Sequence, residues 1–290
     1  MINTLKNSFT FCPSFIGQKL HGPCKAPKIL SGKLSKIQTF NNFQKYNLDF
    51  NNPYFQYNHL VNLQNVLRYN TKIFKSNIES LDRHDLNINI GGDHSIAIGS
   101  VSASLNKYKD DLVLIWIDAH ADINSISSSQ SKNIHGMPVN ILTDNTKFSL
   151  WNFDKLKYKQ IIYVGLRDCD DFEVKFIKDN QIRYFTSREI NNFDTWSLHR
   201  FHFFNLLKTL TKNKKIHLSL DVDALDPKYI PCTGTPVEDG ISLDFVTDFI
   251  SKFKKQIVNA DIVELNLDLK SEIEQEKSLN NTIEIIKSFV

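Results

Sequence analysis

No run in the 290 residues approaches the roughly 18 consecutive apolar residues that a membrane-spanning helix needs. The N-terminus has no charged start followed by an apolar core, so a secretory signal is not expected. Cysteine is scarce. Cys12, Cys24, Cys169 and Cys232 are widely spaced and form no CxxC pair, which argues against a zinc ribbon or a disulfide scaffold and suits a reducing compartment. Neither sign of charge dominates: the net charge is +3, and Lys clusters such as Lys212-Asn-Lys-Lys215 and Lys252-Phe-Lys-Lys255 are short. They read as solvated helix ends and loops rather than a nucleic-acid patch. Internal repeats and low-complexity linkers are missing too. The expectation is a cytoplasmic protein that engages neither membrane nor nucleic acid. Hydrophobic content of 41% and charged content of 23% are ordinary for a globular chain. Asn is abundant, which composition alone assigns to genomic bias rather than to function.

What is present is organised around Leu112-Val-Leu-Ile-Trp-Ile117 and the residues after it. The apolar run reads as a buried strand. It then delivers Asp118, His120 and Asp122 at alternate positions, which share one side of an extended chain. They would converge just beyond the strand's end, where open α/β sheets place their sites. One imidazole among carboxylates suits a hard or borderline divalent ion. A polar strand-to-helix loop with a capping Asp is the plainer alternative.

Along the chain, Ser14-Phe-Ile-Gly17 reads as a first strand, leading to a helix near Pro27–Leu34. Residues 36–57 carry no period that assigns them. Helical spacing through Leu60, Leu63, Val66 and Leu67 predicts a helix from His59 to about Ser80. Asn87–Ile90 alternates as a strand and is followed by Gly91-Gly-Asp-His-Ser95 and a helix, Ile96–Lys107. Further strands are predicted at Gln160–Gly165, Ile182–Phe185, Lys215–Leu220 and Ala260–Leu265. Helices are predicted at Asp171–Lys178, 198–212, Leu243–Phe253 and Ile273–Phe289, with Glu189 in a loop. Strands alternating with helices imply a three-layer αβα architecture with a central, mostly parallel sheet, and one domain spanning 1–290.

Three predicted strand ends carry ligand-type residues: His94; Asp118, His120 and Asp122; and Asp221 with Asp223. Adjacent parallel strands would bring them together. Two His and four Asp put too many anions around one small ion. Shared between two cations, with two Asp bridging, they are reasonable, and such a pair can hold a water between them and lower its pKa. Helix caps for the two aspartates and a satisfied core histidine are the alternatives.

Four blocks stand in order: Gly91-Gly-Asp-His-Ser95, Asp118-Ala-His-Ala-Asp-Ile-Asn124, His135-Gly-Met-Pro138 and Ser219-Leu-Asp-Val-Asp-Ala-Leu-Asp-Pro227. Through them the chain resembles the arginase/agmatinase (ureohydrolase) family from about residue 85 to 268, with weak resemblance before that. The resemblance implies an arginase-like fold, and a binuclear manganese hydrolase with two Mn(II) ions per subunit that attacks a guanidinium carbon and releases urea. It implies one metal on His94, Asp118, Asp122 and Asp221, and the other on His120, Asp118, Asp221 and Asp223. Asp122 would accept a hydrogen bond from the bridging hydroxide, and His135 would shuttle protons, a task its ordinary pKa suits; a plain loop histidine is the alternative. Glu264, in Asp261-Ile-Val-Glu-Leu-Asn266, would pair with the guanidinium.

The same resemblance places Asn124, Ser129, Ser131 and Asn133 at the α-carboxylate of an amino-acid substrate, Asp170 at its α-ammonium with Glu189 supporting through water, and Thr235 on the pocket wall. Ser and Asn are also common in loops, and Asp170 suits a helix cap. L-arginine is therefore the expected substrate, converted to L-ornithine and urea, and a homo-oligomer (trimer or hexamer) is the expected assembly. An agmatinase or guanidinobutyrase, or a catalytically silent metal-binding regulator on the same fold, are the alternatives. Two departures from the family pattern stand out. Val237-Glu-Asp-Gly240 follows Thr233-Gly-Thr-Pro236 where the family has Gly-Gly and Leu, bringing two acids near the site, and Leu267 replaces a Pro.

Overall fold

The computed structural model describes residues 7–49, 59–143, 153–191 and 198–290. Its strands are β1 Asn7–Cys12, β2 Gln44–Asn47, β3 Leu86–Gly91, β4 Leu112–Ile117, β5 Ile161–Leu166, β6 Arg183–Thr186, β7 Lys215–Asp221 and β8 Ile257–Val263. They form one eight-stranded sheet in the order β2-β1-β3-β8-β7-β4-β5-β6. Every pairing is parallel, so the sheet is fully rather than mostly parallel. The helices are α1 Ala26–Leu34, α2 His59–Arg83, α3 Ala97–Tyr108, α4 Pro138–Thr143, α5 Asp171–Asp179, α6 Ser187–Asn191, α7 Leu198–Leu210, α8 Leu243–Phe253 and α9 Glu272–Lys287. None among the described residues is long and apolar enough to cross a membrane.

Parallel strands need a crossover between them, and these crossovers cover both faces. Along β4 the alternation is direct. Val113, Ile115 and Ile117 join the core with α1, α7, α8 and α9. Leu112, Leu114 and Trp116 join the opposite one with α3, α4 and α5. The first face is apolar throughout, with Phe9, Ile88, Ile90, Leu218, Leu220, Ala260 and Ile262 fully enclosed.

The second face carries a polar seam. In register across the sheet run Ser8, Asn87, Asn259 and His217, then Thr10, Asn89, Asp261 and Ser219. All are buried and bonded to one another or to α2 and α3. Asn259 Nδ2 donates to Asn77 Oδ1 (2.8 Å) and Ser104 Oγ (3.0 Å), and its Oδ1 accepts from Asn87 and Asn89, 3.0 Å each. Asp261 accepts from Asn89 Nδ2 (2.8 Å), Ser100 Oγ (2.8 Å), Ser219 Oγ (3.2 Å) and His217 Nε2 (2.9 Å). Burial works against the charge of Asp261, but His217 and these donors hold its pKa below the usual carboxylate range. These asparagines are structural, so composition alone was a poor guide to them.

Several sequence expectations are corrected. The first strand is Asn7–Cys12, not Ser14–Gly17. Ser14 and Gly17 carbonyls are taken by Asp93 N and His135 N, so that segment serves loops rather than a ladder. β8 runs Ile257–Val263 rather than Ala260–Leu265: the buried polar Asn259 masks its start in the apolar pattern, and the left-handed backbone of Glu264 ends it. Residues 183–191 run from strand straight into α6, so Glu189 is helical. Within the unassigned 36–57, β2 is a polar edge strand with no apolar alternation to read, and 50–57 lie outside the described residues.

Removing one hub of the seam strands several buried partners. Asn259→Leu should lower the unfolding free energy by roughly 3 kcal/mol, read from urea denaturation. A change within experimental error would show that the seam is not stabilising.

Candidate metal centre and substrate cavity

The sheet order sets β7 beside β4 and inserts β8 between β3 and β7. The three ligand-bearing strands are thus not all neighbours, contrary to the adjacency expected from sequence. The tip of β8 stands between two of them and supplies Glu264. β3 ends at Gly91-Gly92, where the chain passes so close to Ser14 that a Cβ on Gly92 would lie 1.7 Å from its carbonyl oxygen; only glycine fits. A short 3₁₀ turn, His94–Ile96, follows, capped by Asp93 through Ser95 N (2.9 Å).

That turn aims the His94 ring over Trp116, with centroids 4.0 Å apart and planes at 9°. His94 Nε2 lies 2.9 Å from Ser219 Oγ, at the end of the polar seam. Its Nδ1 faces Asp118 (3.1 Å), Asp122 (3.1 Å) and Asp221 (3.3 Å). His120 Nδ1 faces Asp223 (3.2 Å) and the other oxygen of Asp118 (3.5 Å). Two ligand groups result, His94/Asp118/Asp122 and Asp118/His120/Asp223, with Asp118 in both and the ligand atoms of each within 4.8 Å of one another. Asp221, 2.8 Å from Asp223 N, leans on the first group. The structure thus brings all six candidate ligands together.

The electrostatics call for a cation. Burial and then Asp223 and Asp118 push Asp221 well above the carboxylate range; burial and Asp118 push Asp122 to about 6. Burial disfavours charge on His94 and His120, yet the facing carboxylates raise both well above the imidazole range. Asp118 stays below its ordinary value despite burial because the His120 and His94 rings face it. Without a cation this cluster must hold protons. His94 Nδ1 is buried without a hydrogen-bond partner among the described residues, as expected of a lone pair reserved for a metal. Mixed imidazole and carboxylate donors fit hard or borderline divalent ions. Asp122 adopts φ 50 and Glu264 φ 66, left-handed conformations costly for such residues and commonest at functional sites.

A cavity of about 260 Å³ opens onto this cluster. It is lined by His120, Asp122, Asp221, Asp223, His135, Glu264 and Thr235, and also by Asn124, Ser129, Ser131, Asp170 and Glu173. His135 Nδ1 lies 2.9 Å from Glu264 Oε1; burial works against its charge, but Glu264 outweighs that and raises His135 to about 9. Thr235 Oγ1 donates to Asp223 (3.0 Å), and Asn124 Nδ2 to Asp170 (2.8 Å). Ser129 and Ser131 accept from Lys132 N and Asn133 N, which leaves both hydroxyl hydrogens free to donate.

Two candidates are not brought to this cavity. Asn133 stands outside the lining, and the exposed Glu189 spends its carboxylate on Thr186 N (2.7 Å) and Oγ1 (2.8 Å) of its own helix start. The acid present instead is Glu173, buried, pushed to about 7 by burial and Asp122, and holding Ile123 N (3.0 Å) and Asp170 N (3.1 Å). Its spacing from Asp170, that of a capping box, was the signal available in sequence. Asp168, 3.5 Å from His120 Nε2, was also overlooked. Glu238 and Asp239 are exposed and do not line the cavity.

A sequence profile described as "Arginase family" matches residues 12–288. The chain is 38% identical over 193 residues to arginase of Neurospora crassa, covering 62% of this chain and 52% of that protein. It is 38% identical over 214 residues to arginase of Staphylococcus aureus, covering 71% and 69%. The match thus spans about half the length of the Neurospora relative. Among solved structures, Entamoeba histolytica arginase in complex with L-ornithine superposes with a TM-score of 0.86 at 29% identity, covering 98% of each chain.

Protons and metal compete for this cluster, so divalent-cation affinity should rise with pH through about 6 as Asp122 deprotonates. It should keep rising as His94 and His120 lose theirs. Chelator competition from about pH 5 to about pH 8 measures this; a flat profile contradicts it. Asp118→Ala, which removes the residue shared by both groups, should abolish divalent-cation binding.

Proposed function

The chain belongs to the arginase family, and from that premise we propose that it hydrolyses L-arginine to L-ornithine and urea with two manganese ions per chain, all 290 residues serving one catalytic domain. The carrying observation is that one cavity is lined by both chemistries, the metal cluster with Glu264 and a set of neutral donors with two acids. That arrangement suits a substrate with a guanidinium at one end and both α-groups at the other. Agmatine lacks the carboxylate and 4-guanidinobutyrate lacks the ammonium, so either would leave part of the second set unused.

His94, Asp118, Asp122 and Asp221 would hold one ion, and His120, Asp118, Asp221 and Asp223 the other. When bound, such a pair supplies a water whose pKa is lowered enough to attack near neutral pH. The remaining work belongs to the chain. Glu264 receives the guanidinium, a planar cation suited to a carboxylate. Ser129 and Ser131 offer their free hydroxyl hydrogens to the α-carboxylate, and the Asn124 amide, bonded to Asp170, orients that acid. Asp170 and Glu173 face the α-ammonium, whose charge would return Glu173 to its ionised form. His135 is partly open to solvent and holds its proton up to about pH 9. Its Nδ1 rests on Glu264, so Nε2 remains to protonate the departing amine.

The test is a panel of arginine, agmatine and 4-guanidinobutyrate with the manganese-loaded protein, assayed for urea. Arginine should be turned over with the highest kcat/KM. Preference for either of the others overturns the substrate assignment, and full metal loading without any turnover favours a silent binder. Ser131→Ala should raise KM for arginine up to about tenfold and leave agmatine unaffected, as expected for one hydrogen bond to a charged group. His135→Ala should keep its metal while losing roughly a hundredfold in kcat; equal loss of manganese would contradict that role.

A further inference from the structure

The segment between β1 and α1 stands behind the cavity rather than in it, and its contacts converge on one pair of side chains. Ser14 Oγ (3.3 Å) and Gly17 N (3.1 Å) donate to Asp93 Oδ2, which bolts the segment to the turn carrying His94. The Gly17 carbonyl accepts from His135 N (3.1 Å). Gln18 is 3% exposed and donates through Nε2 to Glu264 Oε2 at 2.6 Å. His135 and Glu264, themselves hydrogen-bonded, are thus each held from behind by consecutive residues of one loop.

The acceptor count at Glu264 shows what this does. A carboxylate has about four lone-pair sites. Oε1 receives two donors, His94 N (2.9 Å) and His135 Nδ1 (2.9 Å), and so has no further capacity. Oε2 receives only Gln18, leaving one direction for an incoming N–H. The Glu264 backbone is in the left-handed region, so few local preferences favour the observed placement and these contacts must impose it. Removing the Gln18 amide would free the plane of the carboxylate to turn about the Oε1 contacts.

We infer that Gln18 is a positioning residue that fixes the Glu264 carboxylate and thereby sets affinity for the guanidinium end of the substrate. The inference rests on the proposed arginine hydrolysis and names the residue that tunes one half of that site. Gln18 acts through Glu264 and does not line the cavity.

The experiment uses the manganese-loaded full chain with Gln18→Met, which keeps length and removes the donor, and Gln18→Glu, which keeps shape but sets a second carboxylate against Glu264. Four quantities are read: KM and kcat for arginine, the inhibition constant of L-ornithine, metal content and Tm. L-ornithine has the α-groups but neither the guanidinium carbon nor its terminal nitrogens. Gln18→Met should raise KM about tenfold, the order expected for one hydrogen bond to a charged group, with kcat changed less than about threefold, ornithine inhibition unchanged and two metals retained. Gln18→Glu should raise KM further. If Gln18→Met fails to fold, the same readings on Gln18→Glu decide. Unchanged KM in a metal-replete variant, or parallel loss of ornithine affinity, metal and Tm, would overturn the positioning role, the second result marking Gln18 as merely structural. If the wild-type chain has no arginine turnover, the proposed function itself fails and takes the inference with it; with an active wild type, only the inference is at stake.

Discussion

Four carboxylates and two imidazoles enclosed at one end of a sheet define the central constraint on this fold. Their repulsion is severe in a low-dielectric setting, and desolvation exceeds attraction unless cations and exact partners are supplied. The scaffold meets this by pinning three of the four anions. Asp118 accepts from Trp116 Nε1 (2.9 Å) and His120 N (2.8 Å). Asp221 accepts from Asp223 N, and Asp223 from Thr235 Oγ1 and Ala119 N. None of these donors carries a charge, so they set direction without neutralising the site. The net negative charge is left for metal ions to balance.

The two faces of the sheet follow from that demand. One face needs only to exclude water, and it is apolar from Phe9 to Phe253. The other must orient His94, whose Nε2 meets Ser219, whose hydroxyl meets Asp261, whose other partners are His217, Ser100 and Asn89. A hydroxyl that donates to Asp261 can only accept from His94. That makes Nε2 the protonated nitrogen and leaves the Nδ1 lone pair toward Asp118, Asp122 and Asp221, as a metal ligand requires. A buried polar network is tolerable when fully connected, and this one runs from α2 across four strands to the metal ligand.

These demands differ in how plainly they mark the sequence. β4 and α8 have the bounds their patterns predict, because each is buried in one uninterrupted period. Asp118, His120 and Asp122 were legible because alternate spacing off a strand fixes a common side. β1 is misplaced by a sequence reading because its burial depends on the distant strand Leu86 to Gly91, and β2 is unassigned because it is a polar edge strand. Glu173 escapes a sequence reading that takes Glu189 from the family resemblance, because its spacing from Asp170 marks only a helix start until the fold sets that helix against the cavity. Gln18 has no local signature at all. Its role arises where a loop crosses the tip of a strand 246 positions further on.

The acidic pair Glu238 and Asp239 shows the same limit from the other side. Read as side chains, they intrude on an anionic site. In the fold, the useful part of that loop is its backbone. Arg167, half-buried at the end of β5, donates to the carbonyls of Val237 (2.9 Å), Glu238 (3.0 Å), Ala224 (3.1 Å) and Gly165 (3.3 Å), and also to that of Asp223. One planar guanidinium thereby ties the loop bearing Thr235 to the loop bearing Asp223, the two partners of a single hydrogen bond beside the metal cluster. Every residue has a carbonyl, so this clip places no demand on which side chains stand at 237 and 238. They can differ from the family pattern while the ligand they help to hold stays in place.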